Sequence, residues 1–180
     1  MPPEPTVTDV FEPVTATWQY IVADPATRDA VIIDSVLDFE PATRSLSSKS
    51  ADGLLDIVQE KGYRVVKILE THAHADHLTA AKYLQTKLAQ SQGFKPEVCI
   101  GKRIEGVQDR FARRYGVPKD ELENVFDKLF DDDEEFAIGE LKAQALHLPG
   151  HTPDHLGYKI GGNGFIFCEH IEHYWVGWPR

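Results

Sequence analysis

Apolar positions in this chain fall mostly into short β-rich runs, interrupted by a few longer stretches with helical spacing. "TWQYIVAD" (Thr17–Asp24) and "AVIID" (Ala30–Asp34) are dense in β-branched and aromatic residues. They flank the turn-forming "PATRD", so the pattern predicts a hairpin. "FEPATRSLSSKS" reads as a polar, Ser-rich loop, and residues 1–13 as a flexible N-terminal segment. In "ADGLLDIVQEKG", Leu54, Leu55, Ile57 and Val58 make a helical stripe that Gly62 ends. "RVVKILETH" (Arg64–His72) predicts a strand, and "DHLTAAKYLQTKLAQSQG" a helix of about four turns closed by Gly93. "EVCIG" is a short strand. "EGVQDRFARRYG" and "PKDELENVFDKLF" read as two short helices, the second opened by Pro118. The acidic "DDDEE" is a solvated turn, and "EFAIGE", "LKAQALHLPG", "HLGYKIGG" and "GFIFC" supply four further β segments. No internal repeat is visible. This alternation predicts an α/β layered domain with helices packed on sheet faces.

Length and charge narrow the function classes. At 180 residues the chain suits one domain with a real core. Twenty-nine acidic against 19 basic residues give a formal charge of −10, which repels polyphosphate and anionic lipid. We therefore expect no nucleic-acid and no membrane partner. Two cysteines, Cys99 and Cys168, with no C-x-x-C, argue against a disulfide scaffold or a structural zinc knuckle. No apolar run approaches the ~20 residues that span a bilayer. "MPPEPTVTDVFEP" has neither secretion-signal nor transit-helix character, so a soluble cytoplasmic protein is expected.

The chemistry concentrates in "ETHAHADHL" (Glu70–Leu78). His72 and His74 are two residues apart and project to one side as the chain leaves the predicted strand. Asp76 and His77 follow at the expected helix start, where an aspartate also caps free N–H groups. Solvated loop histidines beside an N-cap aspartate would be the bland account, but four such groups on one strand-to-helix turn make a metal-site arrangement. Neutral imidazole and carboxylate suit Zn²⁺, Fe²⁺ or Mn²⁺. A second donor segment is "HLPGHTPDH" (His147–His155), also at a strand end, where Gly150 and Pro153 impose a turn that aims His151 inward. His147 and His155 read as structural or supporting.

H-x-H-x-D-H followed by "PGHTPDH" resembles the signature of the metallo-β-lactamase fold, an αββα sandwich. "TWQYIVAD", "AVIID", "ILETHAHADHLTAA" and "LHLPGHTPDHLGY" look most like the persulfide (sulfur) dioxygenases, relatives of the glyoxalase II thioesterases. The resemblance spans Val10 to Cys168 and implies a domain over residues 14–168. By this likeness His72 and His151 match iron ligands of the dioxygenases. His74, Asp76 and His77 match positions that complete a dinuclear site in the hydrolases and support a single iron in the dioxygenases. Asp76 and His77 are accordingly the catalytic candidates. The implied reaction is iron-dependent oxidation of glutathione persulfide by O₂ to sulfite. The implied alternative is a glyoxalase II-type hydrolase of glutathione thioesters with two metals, zinc among them. A catalytically silent metal-binding member is the third class.

One departure bears on all three. The family carries a metal-binding aspartate in a Gly-Asp pair after the strand matching "GFIFC"; here Glu169 and His170 follow. His170 lies 19 residues after His151 and is a candidate substitute ligand. The segment 169–180 reads as a divergent tail, and the implied fold is incomplete at its C-terminus, as in a truncation, a splice form or a shifted frame. Fewer carboxylates lower the expected metal affinity. Arg113, Arg114 and Tyr115 are candidate anion contacts, with a solvated helix face as the alternative. Oligomeric state stays open, a homodimer among the options.

Overall fold

The computed structural model describes residues 4–162 and 165–167. Three strands open the chain: β1 (Thr6–Glu12), β2 (Thr17–Ala23) and β3 (Asp29–Ile33). The expected hairpin is β2–β3, antiparallel with Tyr20 opposite Ile33. The flexible segment expected over 1–13 is corrected by β1, whose residues Thr6–Glu12 pair along the whole of β2. Alternation in "TVTDVFE" is too irregular to announce that strand. The polar loop after β3 is corrected too. It holds β4 (Val36–Glu40) and β5 (Ser45–Ser47), a small hairpin completed by β7 (Leu78–Thr79).

Helix α1 (Lys49–Lys61) buries Ala51, Leu54 and Val58 and stops at Gly62, whose φ of 62° is cheap only without a Cβ. Strand β6 (Arg64–Leu69) then runs parallel to β3. Helix α2 (Ala81–Gln92) begins later than the pattern suggests: its N-cap is Ala80, so Asp76 is not a helix cap. Strand β8 (Glu97–Gly101) and helix α3 (Ile104–Tyr115) follow. The second predicted helix after α3 does not form. Only a single 3-10 turn, Lys119–Glu121, is present, and the end of that segment becomes β9 (Lys128–Phe130), parallel to β8. Strands β10 (Glu135–Ile138), β11 (Leu141–His147), β12 (Leu156–Ile160) and β13 (Phe165–Phe167) make an antiparallel meander.

Two main sheets result, one in the order β1-β2-β3-β6-β8-β9 and one in the order β10-β11-β12-β13. The first is buried on both faces, which is why β3 reads as a continuous apolar run. One face (Ile21, Ala30, Ile32, Val65, Ile68) packs under α1 and α2 through Leu54, Leu84 and Leu88. The other (Val22, Val31, Ile33, Leu69, Cys99) packs against Leu141, Ala143, Ala145, Leu156 and Tyr158 of the second sheet. Lys142 and Lys159 point out of that second sheet and are exposed. The chain is thus a layered α/β structure. Loops at the C-terminal ends of β3, β6 and β11 meet where the two sheets come together.

Candidate metal centre

The strand β6 ends at Leu69, so the histidine motif lies wholly in the loop beyond it. His72 and His74 still converge, with ring centroids 4.3 Å apart. His77 sits 4.1 Å from His74, and His151, arriving from the loop after β11, is 4.8 Å from His72. Asp76, His74 and His77 have donor atoms within 4.8 Å of one another. The structure therefore brings together five of the six residues picked from the sequence. The sixth, His170, lies with Cys168 and Glu169 outside the described residues.

Hydrogen-bond partners fix which nitrogen of each ring carries a lone pair. The Thr71 hydroxyl donates to Asp34 Oδ2 (2.9 Å) and lies 2.9 Å from His72 Nδ1. Its one hydrogen is spent on the carboxylate, so His72 Nδ1–H is the donor and Nε2 keeps the lone pair. His74 Nε2 lies 3.2 Å from both Asp34 Oδ1 and Glu70 Oε2, two acceptors, so it carries the proton and Nδ1 the lone pair. His77 Nδ1 faces Asp76 Oδ2 (3.3 Å) and Thr17 Oγ1 (3.3 Å), which leaves Nε2 available to a ligand. That Nε2 is buried and has no hydrogen-bond partner among the described residues.

Sequence reasoning passed over the supports. Asp34 ends the buried strand β3 in a left-handed conformation (φ 52°) and also accepts the Thr71 backbone N–H at 2.7 Å. Burial pushes its pKa up, but the bonds from His74 and Thr71 outweigh that and hold it below the usual carboxylate value. Glu70 is equally buried. There desolvation wins and raises its pKa, although His74 and Thr79, which donates at 2.5 Å, oppose the shift. Tyr158 hydroxyl donates to the Glu70 carbonyl at 2.7 Å, and burial lifts its pKa well above the ordinary phenol. From the other side, Glu12 accepts from Thr15, whose hydroxyl is 2.8 Å from that of Thr17 behind His77. An aspartate closing an apolar strand was the one available signal for Asp34.

His155 and His147 do not join the donors directly. His155 is buried, meets His72 edge-on at 5.2 Å and directs Nδ1 to the Leu148 carbonyl. His147 directs Nε2 to the Pro153 carbonyl at 3.0 Å and braces the same loop. Arg113 and Tyr115 are exposed on α3.

Does a metal fit? Buried polar atoms without partners are scarce in folded proteins. Here His77 Nε2, Ser35 Oγ, Thr152 Oγ1 and Asp154 Oδ2 are all in that state among the described residues, and all lie in the loops that form this centre. Three imidazole lone pairs with a carboxylate nearby are a donor set for a first-row divalent metal. The residues fit.

The metallo-beta-lactamase superfamily signature matches residues 13–168. The chain belongs to that superfamily. It is 39% identical over 157 residues to a probable metallo-hydrolase of Burkholderia pseudomallei, covering 86% of this chain and 51% of the relative. Identity to Glyoxylase B2 of Dictyostelium discoideum is also 39%, over 151 residues (81% and 49%). Identity to the mitochondrial persulfide dioxygenase ETHE1 of Homo sapiens is 26% over 158 residues (88% and 49%). Among solved structures, ETHE1 from Myxococcus xanthus superposes with a TM-score of 0.62 at 25% identity, over 86% of this chain and 53% of that one. The chain thus spans about half the length of the curated relatives it matches. Its fold is the metallo-β-lactamase fold, and among its described residues no helix is long and apolar enough to cross a membrane.

Proposed function

We propose that this chain carries the metal site of a persulfide dioxygenase, with one Fe²⁺ held by His72 and His151 and oriented by the residues around them. The observation that supports this most is the convergence of His72 and His151, 4.8 Å apart, from two separate strand ends. A bound iron supplies open positions for O₂ and a persulfide sulfur. The chain's own residues do the rest. Thr71 fixes the His72 tautomer, Asp34 and Glu70 hold His74, and Asp76 with Thr17 holds His77. Asp76 and His77 are the groups placed to hold or pass a proton beside the reacting sulfur. Burial raises the Asp76 pKa, but the His77 contact and local backbone bonds leave it lowered overall and so ionised at neutral pH.

A two-metal thioester hydrolase is the second reading, favoured by the grouping of His74, Asp76 and His77 as a separate donor set. The presence of Glu169–His170 where the family has Gly-Asp weighs on both readings and more heavily on this one, because a shared carboxylate is what a two-metal bridge needs. Metal analysis of the purified chain separates the two: about one iron per chain supports the dioxygenase, about two zincs the hydrolase. His72→Ala and His151→Ala should each abolish iron retention. O₂ uptake with glutathione persulfide by the iron-loaded chain is the activity test. Iron retained in both variants would sink the assignment.

A further inference from the structure

We propose that Glu12 is a positioning residue that acts on His77 from a distance. Through the Thr15 and Thr17 hydroxyls it keeps the His77 ring proton on Nδ1, with or without Asp76. The link to chemistry rests on the reading above that His77 passes a proton beside the reacting sulfur; the position of the ring proton does not.

Glu12, Thr15 and Thr17 belong to the β1–β2 turn and its flanks, far in sequence from both histidine segments. Glu12 is buried although it ends β1 at a surface turn. Its carboxylate accepts from Val14 N (2.9 Å), Thr15 N (2.8 Å) and Thr15 Oγ1 (2.6 Å). The two backbone bonds brace the turn, the ordinary use of a side-chain acceptor there. The third leads inward. Thr15 Oγ1 is 2.8 Å from Thr17 Oγ1, and Thr17, fully buried, places that oxygen 3.3 Å from His77 Nδ1.

Each hydroxyl has one hydrogen, so the carboxylate sets the direction of the whole chain. Burial raises the Glu12 pKa, but the Thr15 hydroxyl and the two backbone N–H groups outweigh it and leave it lowered. Glu12 is therefore an anion that can only accept. Thr15 spends its hydrogen on Glu12 and offers a lone pair to Thr17. Thr17 donates to Thr15 and offers a lone pair to His77. An Nδ1–H satisfies it, and a neutral ring then has Nε2 unprotonated. That nitrogen is buried and partnerless among the described residues, as a group waiting for a proton or a ligand must be.

Asp76 accepts the same proton at 3.3 Å, but its side chain is 36% exposed and that of His77 only 1%. Water competes with the outer acceptor and not with Thr17, so the inner bond is the more durable. Asp76 can then turn towards a ligand while the ring proton of His77 stays in place.

Long-range proton–nitrogen correlation spectra of the histidine-labelled full chain read which ring nitrogen is protonated. They are recorded at about pH 8, above the ordinary imidazole value, after chelator treatment so that no metal competes for Nε2. The His77 signals are assigned by their loss in His77→Gln. We expect the Nδ1–H form in the unmodified chain and in Asp76→Ala. When Thr15→Val is added to Asp76→Ala, the Thr17 hydrogen is left to turn onto the ring. The ratio of Nδ1–H to Nε2–H should then fall by about fivefold or more. Thr15→Ser in the same background should keep the ratio, and Glu12→Ala should lower it. Thr15 is half-buried in a turn and valine keeps its shape, so the fold is expected to persist, with circular dichroism as the check. A Glu12 that only braced the turn would leave the ring signals where they are. Loss of the Nδ1 proton in Asp76→Ala alone overturns the proposal, as does a ratio unmoved by Thr15→Val or Glu12→Ala. Iron content is measured separately. A chain that passes this test but holds no iron refutes only the metal-site assignment, and one that holds iron but fails it refutes only the positioning role.

Discussion

Asp34 is the residue whose replacement tests the centre most directly. It is fully buried and accepts three hydrogen bonds, from Thr71 N (2.7 Å), Thr71 Oγ1 (2.9 Å) and His74 Nε2 (3.2 Å). In Asp34→Ala the Thr71 N–H is left buried without an acceptor, a loss of about 1–3 kcal/mol. The Thr71 hydroxyl keeps His72 and the His74 ring keeps Glu70, so each of those losses is smaller. Alanine at a φ of 52° adds about 1 kcal/mol. The sum is about 4 kcal/mol, a large share of a domain's roughly 5–15 kcal/mol. Asp34→Asn is gentler, because asparagine tolerates the left-handed backbone and its amide oxygen replaces Oδ1; about 1–2 kcal/mol is expected.

The asparagine variant separates stability from metal binding. Its NH₂ faces the Thr71 hydroxyl, which then has no carboxylate to donate to. Turning that hydrogen onto His72 Nδ1 moves the ring proton to Nε2 and removes the lone pair a metal needs. Iron or zinc affinity, measured by competition with a chromophoric chelator, should fall about 10–100-fold. Urea unfolding followed by circular dichroism gives the stability term, read as a shifted midpoint at constant slope. The reasoning fails if Asp34→Asn keeps its affinity within about threefold, or if Asp34→Ala costs under about 1 kcal/mol.

Three further outcomes are expected. Gly139→Ala should destabilise by about 3 kcal/mol or more in the same urea assay, because a Cβ there, at φ 58°, collides with Thr27 Oγ1 and Asp24 Oδ2. Tyr158→Phe should cost about 1 kcal/mol and weaken metal binding, since the hydroxyl that anchors the Glu70 carbonyl is lost. Asp127 governs an acid transition: burial raises its pKa, but Lys95, Val98 and Gln85 outweigh that and hold it at about 2. The unfolded state binds the extra proton, so this stability is complete above the ordinary aspartate value and is lost as pH falls towards 2. With a third of the side chain exposed we discount it to about 1 kcal/mol, and Asp127→Asn should flatten the stability profile below about pH 4.

What the sequence showed plainly was wherever burial is one-dimensional. Strands β2, β3, β6 and β8 are apolar runs because both faces are covered, and α1 ends at a glycine that its backbone requires. What it hid depended on partners distant in sequence. Strand β1 exists because β2 offers an edge, and β4 because β7, whose Leu78 and Thr79 pair with Leu37 and Val36 from far along the chain, closes over it. "PKDELENVFDKLF" has helical composition, yet pairing of Lys128–Phe130 with β8 outweighs local preference.

The centre divides the same way. Its candidate donors were legible because they crowd into six residues, His72 to His77, and into the short loop around His151. Its supports were not, because each comes from another strand: Asp34 from β3, Thr17 from β2, Tyr158 from β12. Those supports set the chemistry. Through their hydrogen bonds they leave Nε2 of His72 and His77 and Nδ1 of His74 as the nitrogens with the lone pair. Spacing thus identifies the kind of centre. The folded neighbourhood decides which nitrogen of each ring is tied to a protein partner and which is left to face a ligand.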